Sequence, residues 1–138
     1  MNAVFADAGY FIANLDHRDP LHGRARAAVA DLGVFNTVTT QMVMVEVLNY
    51  MSRGGVRLRS LAAHMIQELQ ARHDVEIVPQ TDSQFQAAAQ RYAARVDHSW
   101  SLTDCASFLI MEERRIDKAL AYDRDFEQAG FVALLRHF

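Results

Sequence analysis

The sequence predicts an α/β fold, a central parallel sheet of four to five strands with helices on both faces. Two observations carry this. Short strand-like runs alternate with longer stretches of helical periodicity along the whole chain, the pattern of parallel strands joined by helical crossovers. About half of the 138 residues are apolar, while Pro and Gly are few and isolated, so one sizeable core is expected and no linker.

The elements follow in order. Residues 3–6 form an apolar run expected as a buried first strand, ended by Asp7. Residues 9–15, with Tyr10 and Phe11, form a short helix. Asp19-Pro20 reads as N-cap and first helical position of the next, which carries Leu21, Ala25, Ala28, Val29 and Leu32 on one face and stops at Gly33. Residues 34–39 are β-branched and aromatic, a second strand. Thr40 caps a helix over 41–53, terminated by Gly54-Gly55, and 58–72 form another. Residues 75–78 are the third strand, closed by Pro79, and Asp82 caps a helix to residue 95. After a loop at 97–100, Ser101 begins a helix to 115. Residues 118–121 are the fourth strand, with a short turn at 124–128 and a fifth strand at 132–135.

Composition narrows the function. The net charge is −3, from 14 basic and 17 acidic side chains, which argues against binding nucleic acid by bulk charge and leaves room for a local Arg-rich rim. A single cysteine rules out a disulfide framework and a cysteine zinc cluster. No cationic leader precedes an apolar run, so no signal peptide is expected, and no run nears the roughly 20 residues of a membrane span.

The chemistry lies in acids at odd places. Asp7 follows the first strand directly and Asp123 follows the fourth. In open α/β sheets, ligands bind outside the carboxyl ends of the strands, so both acids project to one edge. Each also has an ordinary explanation, capping the short helix or turn behind it. Glu46 is the stronger signal. Its neighbours Met42, Val43, Met44, Val45, Val47 and Leu48 are all apolar, predicting a helix buried nearly all round, and Glu is rarely buried without a partner; the ordinary alternative is a Glu that reaches solvent on a narrow polar face with Asn49. Ser101-Leu-Thr-Asp104 matches a capping box, and a first-turn carboxylate there points at the same edge, with Thr103 adding a hydroxyl. Together, Asp7, Glu46, Asp104 and Asp123 form a carboxylate set suited to a hard cation, Mg²⁺ or Mn²⁺, and so to metal-assisted phosphodiester hydrolysis.

The stretches Val4-Phe-Ala-Asp7, Val45-Glu46-Val47-Leu48, Leu102-Thr103-Asp104 and Ala121-Tyr-Asp123-Arg-Asp125-Phe126 resemble, in order and spacing, the acid motifs of PIN-domain nucleases. The resemblance covers essentially the whole chain and implies a single PIN-like domain over 1–138, a three-layer α/β/α fold. The compact length is similar to the toxin half of VapBC toxin–antitoxin pairs. That implies a cytoplasmic Mg²⁺-dependent endoribonuclease, usually a homodimer, held inactive by a cognate antitoxin. Carried over by position, Asp7, Glu46, Asp104 and Asp123 would be the metal-site acids, with Asp125 a second candidate for the last place. The family often has Ser or Thr after the first Asp, and this chain has Ala8.

Other residues carry weaker expectations. The six histidines show no ligand pair on a helix and are expected on the surface. Cys105 is expected as a small core residue. Trp100, beside His98, could anchor its loop or stack on an RNA base. Arg53, Arg57 and Arg59 around Gly54-Gly55 could form a solvated junction, a phosphate rim or a docking surface. The alternative to a nuclease is a catalytically silent module of the same fold that binds RNA or a protein. A phosphoacceptor receiver domain is discounted because Pro79 to Thr81, not a nucleophilic Asp, follow the third strand. A haloacid-dehalogenase-type phosphatase is discounted because Gly9 stands two residues after Asp7.

Overall fold

The computed structural model describes residues 2–138. Five strands, Ala3–Ala6 (β1), Asn36–Thr40 (β2), Val75–Val78 (β3), Lys118–Leu120 (β4) and Val132–Ala133 (β5), form one sheet in the order β3-β2-β1-β4-β5. Every pairing is parallel. Among the described residues seven α-helices connect and cover the strands: Ala8–Leu15 (α1), His22–Leu32 (α2), Gln41–Met51 (α3), Gly55–Ala71 (α4), Asp82–Ala94 (α5), Leu102–Arg114 (α6) and Arg124–Gln128 (α7). A 3₁₀ turn, Leu134–His137, follows β5. The predicted α/β/α architecture is therefore the observed one.

β1 lies at the centre because its side chains are uniformly apolar, and Val4, Phe5 and Ala6 are all but inaccessible to solvent. The chain winds from β1 to β2 and β3 on one side, then crosses back to β4 and β5 on the other. The switch point of the topology thus falls between β1 and β4, where such sheets open a crevice at their carboxyl edge. Ala6 is in register with Leu120, and the next rung is the Asp7 N–H donating to the Leu120 carbonyl at 3.2 Å. Thr39, fully buried, donates its hydroxyl to the Ala6 carbonyl at 2.8 Å. β1 is therefore fixed on both sides at the point where Asp7 leaves the sheet.

Several boundaries differ from expectation, each for a local reason. The Asp19 carboxylate accepts from the Leu21 N–H at 2.9 Å as predicted for a cap, but the turn it closes is not yet α-helical and α2 begins at His22. Thr81, not Asp82, is the N-cap of α5, because Thr81 and Gln84 complete a reciprocal capping box. Helix α4 starts at Gly55, well before residue 58. The Gly54-Gly55 turn is tight: Gly55 sits at φ +84°, and a Cβ at Gly54 would collide with the Leu58 side chain. The fifth strand is shorter than predicted, since the chain turns into the 3₁₀ segment after Ala133. Helix α3 is not buried all round. Val43, Met44, Val47 and Met51 face the core, whereas Val45, Leu48 and Tyr50 are exposed, because α3 packs on α1, α4 and α6 by its inner side alone.

Candidate active site

Four elements deliver acids to the carboxyl edge of the sheet. Asp7 is the N-cap residue of α1 by position, yet its side chain makes no capping hydrogen bond. The ordinary explanation of Asp7 as a helix cap therefore does not account for its carboxylate. Thr40 caps α3 by accepting from the Val43 N–H at 3.1 Å, which fixes the start of the helix and so the position of Glu46, half-buried on its second turn. Asp104 sits in the first turn of α6 inside the predicted capping box. Its N–H donates to Ser101 Oγ at 3.0 Å, and its Oδ2 accepts from the Ser101 N–H at 3.1 Å. Asp123 caps α7, its Oδ1 accepting from the Asp125 N–H at 3.0 Å. Capping occupies one oxygen of Asp104 and one of Asp123, so capping and a site role coexist in these two.

All five carboxylates, Asp7, Glu46, Asp104, Asp123 and Asp125, line one cleft of about 720 Å³. The electrostatics follow from crowding without a cation. Burial pushes the Asp7 carboxyl up from 3.8 to about 7, the charges of Asp104, Glu46 and Asp123 add to the rise, and the Ala8 N–H holds it partly back. Burial likewise raises Asp125 to about 6, with Asp123 and Asp104 contributing as neighbouring charges and hydrogen-bond partners. Asp104 is raised by burial and by the charges of Asp123 and Glu46, against the opposing Ser101 hydrogen bonds. None of the five is ion-paired to Lys, Arg or His among the described residues.

Among the described residues no group of three or more Asp, Glu, His or Cys side chains comes together closely enough to hold a metal ion. The acids line a cleft instead. Oxygen-only donors around an open cleft suit a hard cation that keeps several waters, as Mg²⁺ does, and they lack the nitrogen and sulfur ligands that zinc prefers.

An aromatic chain braces the acid-bearing elements from below. Phe5 of β1 packs on Phe126 of α7 at 6.3 Å, Phe126 on Phe108 of α6 at 5.0 Å, and Phe108 on Trp100 at 5.0 Å, the last two edge to face. Phe5, Phe108 and Phe126 are fully buried. Each lies within a few residues of Asp7, Asp104 or Asp123, so packing of these rings sets where the carboxylates sit. Trp100 itself is buried, with His98 stacked at 4.3 Å and the Arg95 guanidinium 4.8 Å from the ring centre. It anchors its loop and has no face open for a base.

The remaining expectations sort as follows. Thr103 is buried and does not line the cleft; its carbonyl accepts from Ser107 Oγ at 2.9 Å. Ala8 is buried at the start of α1. Cys105 is fully buried in the core, as expected. Not every histidine is on the surface: His98 is half-buried on Trp100, and the half-buried His22 ring is hydrogen-bonded to the Ala13 carbonyl at 2.8 Å. Arg53, Arg57 and Arg59 are exposed and do not reach the acid cleft. The arginines that do line it are Arg124 and Arg136, together with Tyr122. Tyr122 and Arg124 fall inside the last acid stretch but are not singled out by it as site residues, and Arg136 falls in no motif. The available signal was the adjacency of Tyr122 and Arg124 to Asp123, and for Arg136 there was none, because its position depends on the 3₁₀ turn.

The comparisons with known proteins agree with this geometry. The PIN domain family profile matches residues 4–132. The crystal structure of Mycobacterium tuberculosis VapC20, described as a sarcin-ricin loop cleaving toxin, superposes with a TM-score of 0.83 at 26% identity, over 94% of this chain and 97% of that one. No curated protein sequence matches the chain. With the family profile spanning nearly its whole length and the sheet order, helices and acid-lined edge already described, the chain belongs to the PIN-domain family, with the compact VapC-type architecture.

Proposed function

We propose that residues 1–138 act as one PIN domain, a metal-dependent endoribonuclease that hydrolyses RNA phosphodiester bonds as the toxin of a toxin–antitoxin pair in the cytoplasm. The observation that carries this is the gathering of Asp7, Glu46, Asp104, Asp123 and Asp125 in one cleft at the switch point of the sheet, with no cationic partner for any of them among the described residues. Asp7, Glu46, Asp104 and Asp125 are half-buried and Asp123 is exposed; unpaired carboxylates withdrawn from water cost folding free energy, and such arrangements concentrate at functional sites. Asp7, Glu46, Asp104 and Asp123 would hold Mg²⁺ or Mn²⁺, with Asp125 as a further acid beside Asp123. When bound, the cation supplies polarisation of the phosphodiester and a lowered pKa for an attacking water. The protein's part is to hold these carboxylates in a partly dry cleft, each fixed by a cap or by the aromatic chain beneath. Ala8 removes one hydroxyl that the family often carries beside the first Asp, which takes a hydrogen-bonding group away from that carboxylate.

The silent-module alternative is separated by one experiment. Purified protein is incubated with a mixed RNA pool and Mg²⁺ or Mn²⁺, and new 5′ ends are sequenced beside an Asp104→Asn control. Discrete ends that appear only with wild type and metal support the nuclease. RNA that is retained but uncut supports the silent module. The partner reading is a homodimer and a cognate antitoxin. Support for self-association comes from exposed apolar side chains on consecutive helices, Val45, Leu48 and Tyr50 on α3 and Val56 and Leu61 on α4. Light scattering at micromolar concentration should give twice the 15.6 kDa chain mass; a monomer would count against it. Among the described residues no helix is long and apolar enough to cross a membrane.

A further inference from the structure

The C-terminal 3₁₀ turn brings a guanidinium to the acid cleft. Arg136 lines that cleft with Asp123 and Asp125, and it is held there by three contacts. Its Nη1 donates to the Tyr122 carbonyl at 2.9 Å, its Nε pairs with Glu127 at 3.1 Å, and its guanidinium lies 4.8 Å from the centre of the Tyr122 ring. Arg24 of α2 steadies the same corner. It lies 5.4 Å from the centre of that ring, and its Nη1 donates to the Leu135 carbonyl at 3.1 Å. The Arg136 side chain is only 22% exposed, so it is a fixed cation rather than a solvated one.

An arginine in this place has two possible partners. One is the cleft's own acids, but Arg136 forms no ion pair with any of them. Its carboxylate partner, Glu127, lies outside the cleft lining. The other partner is an anion entering the cleft. A guanidinium carries five N–H donors; of these, Nη1 donates to the Tyr122 carbonyl and Nε is ion-paired with Glu127, and no other protein acceptor takes a hydrogen bond from Arg136 among the described residues. Phosphate matches this fork. A polyanion approaching an acid-lined cleft on a chain of net charge −3 also needs a fixed positive charge at the entrance.

We propose that Arg136 binds a backbone phosphate of single-stranded RNA beside the scissile position, with Tyr122, Arg24 and Glu127 as the residues that position it. This rests on the nuclease reading and adds a substrate contact to it. Glu127 then acts as a brake, since it both aims the guanidinium and partly neutralises it.

The test uses the full chain and a short, labelled single-stranded RNA of mixed sequence. Binding is followed by fluorescence anisotropy across a salt series in an Asp104→Asn background, and cleavage is followed separately without that substitution. Arg136→Gln should weaken binding about tenfold, the worth of one charge-assisted phosphate contact. It should also flatten the dependence of log affinity on log salt by about 0.7, the increment for one phosphate of a single strand. Arg136→Lys should keep the salt slope and lose part of the affinity. In cleavage, Arg136→Gln should raise KM more than it lowers kcat. Glu127→Gln should tighten binding, which a purely structural role for the Arg136–Glu127 pair would not produce. If wild type cleaves and Arg136→Gln leaves affinity and salt slope unchanged, the phosphate contact is wrong and the nuclease reading stands. If wild type neither binds nor cleaves RNA, both fall. Should Arg136→Gln lose its cooperative melt, Glu127→Gln decides: unchanged or weaker binding overturns the proposal.

Discussion

The two ends of the sheet treat the same side chains in opposite ways. At the amino edge, Glu76 is gripped by Arg114 through two hydrogen bonds of 2.7 and 2.8 Å, and Asp74 by Arg72 at 2.9 and 2.7 Å. Both carboxyls are held below the usual carboxylate range by those guanidinium partners. At the carboxyl edge, Asp7, Asp104 and Asp125 have no such partner among the described residues and are pushed up, chiefly by burial. The pairs at the amino edge are exposed and each contributes little to stability. The unpaired acids at the other edge are destabilising in the metal-free chain. Acids left without an ion-pair partner in a cleft that Arg124 and Arg136 also line serve more than the capping roles of Asp104 and Asp123, and that contrast supports a cation-holding role.

The comparison can be broken first through activity. Asp104→Asn keeps the size of the side chain and most of the capping geometry but removes a charge from the cleft. Cleavage of RNA should fall at least a hundredfold, on the order of other losses of a single preorganised electrostatic group, with the far-ultraviolet circular dichroism unchanged. Glu76→Gln, at the opposite edge, should leave the rate as it was. Wild-type turnover by purified Asp104→Asn would remove Asp104 from the site.

A second distinction lies in pH. In the metal-free chain Asp7 titrates near 7, against 3.8 for an ordinary aspartate. Between those values the folded chain holds a proton that the unfolded chain has released. Stability therefore falls as pH rises through this window, and Asp125, raised to about 6, adds in the same direction. Glu76 behaves oppositely: its lowered pKa supplies stability above the ordinary range that is lost only in stronger acid. With EDTA present, the melting temperature should rise on going from pH 7.5 to about 5.5, and Mg²⁺ or Mn²⁺ should reduce that rise, because the cation competes with the proton for the same oxygens. A metal-free melting temperature that falls steadily over that range would mean the cleft acids are not raised.

The smallest expected effect is at the paired edge. Arg114→Gln breaks an exposed ion pair, 37% and 50% accessible at its two side chains, and should cost no more than about 1 kcal/mol in urea unfolding. A larger loss would mean that the amino edge is also electrostatically critical, and the contrast would weaken.

Much of this was legible in the sequence because it depends on local patterns. The strand at 75–78, the Thr40 cap, the Ser101–Asp104 box and the end of the first strand at Asp7 each rest on a few adjacent residues, and each is observed. The order of the acids along the chain was enough to suggest one shared edge. What stayed hidden depends on distant partners. Arg136 reaches the cleft only because the chain leaves β5 after Ala133 and turns over Tyr122, and no local pattern in Leu134 to His137 announces that. Surplus apolar surface on α3 was legible, but the expectation of a helix buried nearly all round was not met, since an apolar run does not say which of its sides finds a neighbour. Thr103 shows the reverse error. Adjacency to Asp104 suggested a cleft hydroxyl, but neighbours in a helix point about 100° apart, and this one is buried away from the cleft lining.

The most direct test of the central claim is a thermal melt of wild type and Asp7→Asn, each with EDTA and with millimolar Mg²⁺ or Mn²⁺. A cation that binds only the folded cleft stabilises by about 2.7 kcal/mol at a hundredfold excess over its dissociation constant, which is roughly 5–10 °C for a chain of this size. Wild type should show that rise. Asp7→Asn should melt higher than wild type in EDTA, because a buried repelling charge is gone, and should show a smaller rise with metal. If Asp7→Asn instead melts lower in EDTA and its response to metal equals that of wild type, Asp7 serves the helix behind it and the shared carboxylate site is wrong.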